Sequence, residues 1–178
     1  MPVLSPTSRR QPKRTLAHGS NAPDDYLVRR AAGGCLNAYA QLIDRHGPLA
    51  YRVALRLLGN HQDAEDVTRE ALAAARQRLS GFRGDMSYPI WLLQIVIQRA
   101  LGPISRPARE TACGARADRV AAVVAALPPP QRTAIVLHHF EGLSHDEVAR
   151  VTSRPVPAVR EDLLRGRRGI ARTLQDQQ

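Results

Sequence analysis

Arginine side chains are concentrated near the end of the sequence, in a stretch with helical periodicity. Val159 and Leu163 recur at the spacing of one helix face, and arginines occupy many of the positions around them. The guanidinium group is planar and donates paired hydrogen bonds, which suits it to phosphate oxygens and to the edge of guanine. The pattern therefore favours nucleic-acid binding, although a run of charge is more often only the solvated face of a helix. The arginines concerned are Arg154, Arg160, Arg165, Arg167, Arg168 and Arg172.

The residues that precede this stretch predict a helix-turn-helix. Ser144 and Glu147 have the S-x-x-E spacing of a capping box, in which each side chain bonds the backbone N–H of the other residue. A short helix follows, then a turn over 152–155, and then the arginine-rich helix. The second helix of such a unit enters the major groove of DNA. The residues that we expect to contact DNA here are Ser144, Arg154, Val156, Arg160, Glu161, Leu164, Arg165 and Arg168.

The overall charge agrees with a polyanionic partner. The 178 residues include 26 Lys and Arg against 16 Asp and Glu, which gives a formal net charge of +10. A surplus of this size raises the local concentration of nucleic acid, or of an anionic membrane, around a protein. Lys13 is the only lysine, and codon bias in a GC-rich genome explains this preference for arginine more simply than recognition does.

The sequence predicts a cytoplasmic protein with no membrane contact of its own. No apolar run approaches the length needed to cross a bilayer, and no apolar stretch follows the charged N-terminus. Cys35 and Cys113 are far apart and lack nearby ligand spacing. We expect free thiols in a reducing cytosol, with a long-range redox pair as the alternative.

Residues that could support catalysis or hold a metal ion are few. His138, His139 and His145 cluster in sequence, but adjacent residues point to different faces of a helix, and no cysteine or paired carboxylate completes a tetrahedral set. The chain has neither a phosphate-binding glycine loop nor a nucleophile elbow. We therefore expect no enzyme activity, no metal site and no cofactor.

Breaks in the helical pattern predict an all-α chain of two small helical domains joined by a short linker. Hydrophobic residues make up 43% of the chain but aromatics only 4%, so the core must be aliphatic, which suits helices that pack on helices. Helix ends are expected at Gly33–Gly34, Gly47–Pro48 and Gly59–Asn60. The predicted parts are a disordered basic tail over 1–23, a helical domain over 24–102, a linker over 103–117 and a helix-turn-helix domain over 118–178.

Three motifs, in order, resemble those of the extracytoplasmic-function sigma factors. AYAQLIDRHGPLAYRVALRLLGNHQDAEDVTREAL is similar to the second conserved region of that family, and FRGDMSYPIWLLQI to the promoter-opening segment that follows it. RVAAVVAALPPPQRTAIVLHHFEGLSHDEVARV with VPAVREDLLRGRRGI resembles the fourth region, including its L-P-x-x-Q-R and E-G-L-S-x-x-E-x-A signatures. The resemblance extends from Asp25 to Leu174.

The resemblance implies a transcription initiation factor that binds core RNA polymerase and promoter DNA, with an anti-sigma protein as a further partner. A charged helix would dock on the polymerase and set its orientation. Its residues are Asp63, Glu65, Asp66, Arg69 and Glu70. The minus-ten element would be contacted by Arg83, Tyr88, Trp91, Gln98 and Arg99, and the minus-thirty-five element by the helix-turn-helix. An aromatic ring beside an arginine can hold an unstacked base, although Trp91 has the helical spacing of a core residue.

The sequence departs from the family pattern in several places. Residues 102–105 replace a basic run that commonly follows Arg99, and Glu161 and Asp162 stand where small or basic residues are more common. The linker of about 15 residues spans at most roughly 50 Å. Two alternatives therefore stay open. One is a diverged DNA-binding regulator that lacks promoter opening, and the other is a helical module that binds only proteins.

Overall fold

The computed structural model of the chain describes residues 22–102 and 118–175. The helices of the first range are α1 (Asp24–Ala32), α2 (Leu36–Leu58), α3 (His61–Arg78) and α4 (Tyr88–Ala100), with a 3₁₀ turn at Leu79–Gly81. Those of the second range are α5 (Asp118–Ala125), α6 (Pro129–Ile135), α7 (His145–Thr152) and α8 (Val156–Gln175), and a π-helical turn, Val136–Phe140, follows α6. No strand occurs in these two ranges, so the predicted all-α fold class is confirmed.

The four helices of the first module, α1–α4, bury aliphatic faces against one another. α2 contributes Leu42, Val53 and Leu57, each no more than 1% exposed. α3 faces this core with small side chains, of which Ala71 and Ala75 are fully buried. Small residues let two helix axes approach closely. The aliphatic residues predicted from composition thus make up most of this core, which also buries Tyr39 and Tyr88.

α2 continues through Gly47 and Pro48, where the sequence predicts a break. Pro48 has no N–H to donate to the carbonyl four residues earlier, which costs a helix interior about 3 kcal/mol. The buried stripe nevertheless keeps its phase across the proline, from Leu42 before it to Ala50 and Val53 after it. Burial of this continuous stripe offsets the missing hydrogen bond, so one helix of 23 residues replaces the two that were predicted.

In the second module, α5–α8, two glycines of α8 allow it to pack closely against its neighbours. A Cβ at Gly166 would lie 2.9 Å from Cγ1 of Ile135 on α6, and a Cβ at Gly169 would lie 2.9 Å from Cδ2 of Leu127. Glycine lowers helix stability by up to about 1 kcal/mol relative to alanine. Glycine is nevertheless needed at these positions, because a larger residue there would push α8 away from α6.

α7 and α8 form the predicted helix-turn-helix. The capping box is present: the Glu147 N–H donates to Ser144 Oγ over 3.2 Å, and the Ser144 N–H donates to Glu147 Oε2 over 2.8 Å. Ser153, the residue that follows α7, has a φ of 54°, which lies in the left-handed region that is uncommon outside glycine. The Arg154 N–H then closes the turn on the carbonyl oxygen of Ala149 at 3.0 Å.

The two modules pack against each other. α4 contacts α7, and α2 contacts α5 and the π-helical turn, so that the buried aliphatic residues of both modules form one continuous core. A cavity of about 240 Å³ lies between α4 and the helix-turn-helix. The predicted linker over 103–117, with Cys113, lies outside the described residues, as does the predicted tail apart from residues 22–23.

Candidate nucleic-acid interface

The outward face of α8 carries most of the residues expected to contact duplex DNA. Val159, Leu163 and Gly166 turn inward and are buried, which fixes the rotation of the helix. The residues exposed on the other side are Arg160, Glu161, Leu164, Arg165 and Arg168. Val156 is half-buried at the first turn. The structure therefore brings these predicted residues together on one side of the second helix.

The two acidic residues near the start of α8 differ in orientation. Glu161 is exposed, and its Oε1 accepts a hydrogen bond from Arg165 Nε over 2.7 Å. Asp162 turns inward, with its side chain 13% exposed, and pairs with Arg154 of the turn. Asp162 is therefore turned away from the exposed face of α8. Glu161 is the acid on the exposed face of α8, and a carboxylate in such a position can accept a hydrogen bond from cytosine.

Ser144 lies at the start of α7 and is occupied by the capping box. Hydrogen bonds from the Ser144 backbone N–H, and then from its hydroxyl, hold the pKa of Glu147 below its usual range. The Ser144 side chain remains exposed. Ser144 thus caps the start of α7. A contact between its hydroxyl and DNA would compete with the hydrogen bonds of that cap.

The residues expected at the minus-ten element are divided between surface and core. Arg83, Gln98 and Arg99 are exposed. Trp91 is half-buried, and the centroid of its ring lies 5.1 Å from that of Phe82. Tyr88 is only 1% exposed, so its ring cannot reach an unstacked base in this conformation. The structure therefore corrects the prediction for Tyr88, which is a core residue.

Tyr88 is buried because it opens α4 beneath the first two helices. Its ring lies 5.4 Å from that of His46, measured between centroids. His46 Nε2 lies 2.7 Å from Asp24 Oδ2, and Arg45 Nη1 lies 2.9 Å from the other oxygen of that carboxylate. Burial, with a smaller effect from Tyr39, raises the pKa of Tyr88, so the phenol stays neutral.

α3 presents four of the five residues expected to face the polymerase. Arg69 Nη1 donates to Asp66 Oδ1 over 2.9 Å, and Arg69 Nη2 lies 4.0 Å from Glu65 Oε2. Glu70 Oε2 accepts from Arg99 Nη1 over 3.3 Å. This last contact joins a residue of the predicted polymerase face to one of the predicted minus-ten residues.

Asp63 is the exception on α3, because it is 5% exposed. Its backbone N–H donates to Asn60 Oδ1 over 2.8 Å, and Asn60 Nδ2 donates to Asp63 Oδ2 over 2.7 Å. Gly59 precedes them in the left-handed region, with φ of 78°. Asp63 therefore stabilises the start of α3 and is not available to a partner helix in this conformation.

Three charged residues that sequence reasoning missed connect the two modules. Arg52 Nη2 lies 3.0 Å from Glu141 Oε2, and Arg56 Nη1 pairs with the other oxygen of the same carboxylate. The Arg56 guanidinium also lies over the Phe140 ring, 4.8 Å from its centroid. Glu141 belongs to the E-G-L-S signature, but a local pattern cannot identify partners that lie more than 80 residues away.

Neither a metal site nor a membrane span is found within the described ranges. The rings of His138 and His139 lie 4.8 Å apart, and those of His138 and His145 lie 4.7 Å apart, measured between centroids. His138 Nδ1 is bonded to the Leu143 carbonyl and His139 Nε2 accepts from Arg167 Nε. No group of three ligating side chains there is arranged to hold an ion. No helix of those ranges is long and apolar enough to cross a bilayer.

Comparison with known proteins places both modules in one family. The model for Sigma-70 region 2 matches residues 42–109, and that for Sigma-70, region 4 matches residues 117–169. The RNA polymerase sigma-H factor of Pseudomonas aeruginosa is 29% identical, over 85% of this chain and 94% of its own. The ECF RNA polymerase sigma-E factor of Escherichia coli is 26% identical, with the same two shares.

Solved structures agree with this assignment. CnrH, in its complex with the cytosolic domain of CnrY, is 28% identical and superposes with a TM-score of 0.71, over 87% of this chain and 99% of its own. The sigma factor RpoE from Bartonella quintana, in complex with the anti-sigma factor NepR, is 18% identical, with a TM-score of 0.63 over 79% of this chain and 98% of its own, and shows the shared fold. With both sigma regions matched in their order along the chain, this protein belongs to the extracytoplasmic-function sigma factors.

Proposed function

We propose that this chain binds core RNA polymerase and directs promoter recognition and transcription initiation. The first module, within 24–102, would dock through the outer face of α3 and contact the minus-ten element. The second, within 118–178, would read the minus-thirty-five element through α8. The observation that carries the proposal is the exposed face of α8, where Arg160, Arg165 and Arg168 lie on the second helix of a helix-turn-helix inside sigma region 4.

The two contacts would act together. A module held by the polymerase meets its DNA element at a high effective concentration, so neither protein–DNA contact has to be tight alone. The polymerase and chromosomal DNA lie in the cytoplasm, and we place the protein there. We assign it no catalytic role and no cofactor, as for sigma factors generally.

We also propose an anti-sigma protein as a partner. CnrH and RpoE, to which the chain is similar, are each bound to a second protein in their solved complexes, and NepR is named as an anti-sigma factor. Such a partner would have to cover surfaces that the polymerase and DNA need. The exposed charged faces of α3 and α8 are the two that it would compete for.

A second candidate is a sigma-derived DNA-binding regulator that does not open promoters. The burial of Tyr88 favours it, since this removes one of the aromatic rings expected to hold an unstacked base. Such a protein would bind duplex DNA and the polymerase without producing transcripts.

The test is transcription in vitro with purified core polymerase and a library of promoter fragments, with and without the chain. We expect start sites that depend on the chain and share upstream elements. Arg160→Ala and Arg165→Ala should reduce transcription from those sites, while Arg29→Ala, which removes an exposed arginine of α1, should not. Polymerase binding without initiation would favour the regulator. Absence of both would exclude the proposed function.

A further inference from the structure

The cavity between α4 and the helix-turn-helix has aliphatic walls. Its volume is about 240 Å³. The hydroxyls of Thr133 and Thr152, which also line it, donate to carbonyl oxygens of their own helices over 2.8 and 2.7 Å. Water in the depth of the cavity would therefore find few polar partners. The aliphatic side chains of the lining that are no more than 7% exposed are Ile97, Ala134, Val148, Val151 and Val159.

One polar side chain of the lining has no hydrogen-bond partner. Gln98 of α4 is exposed, and its amide makes no hydrogen bond within 22–102 and 118–175. Ser153 Oγ, by contrast, accepts from Gln94 Nε2 over 3.1 Å. Arg154 and Asp162, the two charged residues of the lining, pair with each other. The cavity thus combines a buried aliphatic part with one free amide on its exposed side.

Size and lining together define the kind of molecule that fits. Ligand sites are typically concave and mostly apolar with a few polar groups, and they occur often between domains. An apolar cavity of about 150 Å³ holds one benzene molecule, so 240 Å³ admits about nine or ten non-hydrogen atoms. A charged head would have to compete with the pair between Arg154 and Asp162, whereas a hydroxyl or an amide can bond Gln98 directly.

We propose that this cavity binds a small neutral amphiphile, whose aliphatic body packs on the buried side chains and whose hydroxyl or amide head bonds Gln98. Gln98 is expected to contact the minus-ten element and Arg154 the minus-thirty-five element, and both line the cavity. A bound molecule would therefore cover one expected DNA contact of each module and compete with promoter DNA. This competition rests on the proposed function, whereas the binding itself does not.

Binding is tested on the full chain with 1-octanol as the probe. Its about nine non-hydrogen atoms and single terminal hydroxyl match the cavity. Octane-1,8-diol is the matched control, because its second hydroxyl would be buried among aliphatic side chains without a partner. Isothermal titration calorimetry should show one saturable site for 1-octanol and about tenfold weaker binding of the diol. The melting temperature should rise with the concentration of 1-octanol, since the ligand binds the folded chain.

The place of binding is tested by nuclear magnetic resonance of methyl groups. We expect 1-octanol to shift the methyl resonances of Val148 and Val151, which line the cavity. The resonances of Val120 and Leu174 should stay unchanged, because these residues line a second apolar surface beside Phe140. Shifts confined to that second surface would overturn the proposed site.

Variants of the lining separate the two parts of the site. Ala134→Val/Val151→Ile fills part of the cavity and should weaken the binding of 1-octanol by at least about tenfold. Gln98→Ala changes an exposed residue, so it keeps the test decisive if the filled variant does not fold, and it should weaken binding by about fivefold. Gln77→Ala, at an exposed position of α3 outside the lining, should leave the affinity unchanged. Circular dichroism establishes that each variant folds.

Transcription tests the competition with DNA. At about ten times its dissociation constant, 1-octanol should raise by about tenfold the concentration of chain that gives half-maximal initiation on core polymerase. The filled variant, compared with its own level without 1-octanol, should show no such rise.

Each outcome bears on a different part of the inference. Absence of saturable binding, or equal affinity in the wild type, the filled variant and Gln98→Ala, overturns the site. Saturable binding in the cavity with unchanged initiation overturns the competition and supports the site. Saturable binding by a chain that initiates on no promoter would overturn the proposed function and the competition, and would still support the site.

Discussion

The carboxylate of Asp162 pairs with the guanidinium of Arg154, eight residues earlier, and so ties the first turns of α8 to the turn that precedes it. Ser153 beside this pair has φ of 54°, a left-handed conformation that is uncommon for residues other than glycine. Asp162 is therefore a structural residue of the helix-turn-helix, at a position where small or basic residues are more common in the family.

Asp162→Asn should loosen this turn without removing a DNA contact. The pair is partly exposed, so its loss is expected to lower the free energy of unfolding by only about 1 kcal/mol. Chemical denaturation measures this difference, with Glu161→Gln as a control, because Glu161 is exposed on the other side of the same helix turn. Equal stability of the two variants would contradict the structural role of Asp162.

Arg168 and Arg160 should have separable effects on the binding of minus-thirty-five DNA. An arginine that contacts only phosphate weakens binding to all sequences alike when removed, and lowers the slope of log affinity against log salt by about 1. An arginine that reads a base instead costs about 1–3 kcal/mol and relaxes specificity at one position. We expect the first behaviour for Arg168→Ala and the second for Arg160→Ala, near the start of α8.

Fluorescence anisotropy over a series of salt concentrations measures the affinity for the minus-thirty-five element and for its single-base variants. It gives both the salt slope and the specificity at each base position. Arg29→Ala, on α1, should change neither of them. A similar uniform loss for Arg168→Ala and Arg160→Ala would show that α8 contacts the DNA backbone without reading bases there.

Gly166→Ala should destabilise the protein although alanine is the better helix former. The propensity gain is up to about 1 kcal/mol, but the new Cβ would lie 2.9 Å from Cγ1 of Ile135, which sits close to the α6 backbone, and overpacking typically costs about 1–3 kcal/mol. Gly169→Ala should cost less, because its contact is Cδ2 at the flexible end of Leu127. Thermal unfolding of the two variants, each compared with the wild type, tests this order.

Ser144→Ala should weaken a dependence of stability on acid pH, because the hydroxyl is lost while the backbone N–H, which lowers the pKa of Glu147 most, remains. The pKa of Glu147 is lowered in the folded chain, so its contribution is present above the usual carboxyl pKa of about 4.5 and is lost as the pH falls through the folded value. Loss of the cap costs about 1 kcal/mol at neutral pH. The difference in unfolding free energy between wild type and variant should therefore shrink below about pH 4. A difference that is constant with pH would contradict this origin of the shift.

The helices and their caps could be predicted because the signals for them are local. The apolar spacing on α3 and α8 and the Ser144–Glu147 box each depend on residues within a turn or two, and the structure has them as expected. Pro48 was misread because a local rule for proline competes with burial along the whole of α2.

The candidate site was predicted less completely, since orientation depends on contacts between distant segments. The sequence placed Tyr88 and Asp63 on functional faces, but whether they point outward is decided by packing against other helices and by the Asn60 cap. It also gave no reason to connect Glu141 with Arg52 and Arg56. Ion pairs of this kind depend on how the two modules pack against each other. The periodicity of residues within either module does not indicate that packing.

The titration of Tyr88 provides the last test, because it distinguishes a core residue from one that holds a base. Burial raises the pKa of Tyr88 above its ordinary value near 10, so the unfolded chain releases this proton at a lower pH than the folded chain does. The resulting stability is fully present below about pH 10 and declines as the pH rises beyond it. Tyr88→Phe should reduce that decline, leaving the part due to Tyr39, whose pKa burial also raises. Denaturation at pH 9, 10 and 11 measures how steeply the free energy of unfolding falls with pH. An unchanged slope in Tyr88→Phe would show that the Tyr88 phenol of the wild type lies in solvent.

Tyr88→Phe should also leave promoter melting at neutral pH intact, whereas Trp91→Ala, at a half-exposed ring, should reduce it.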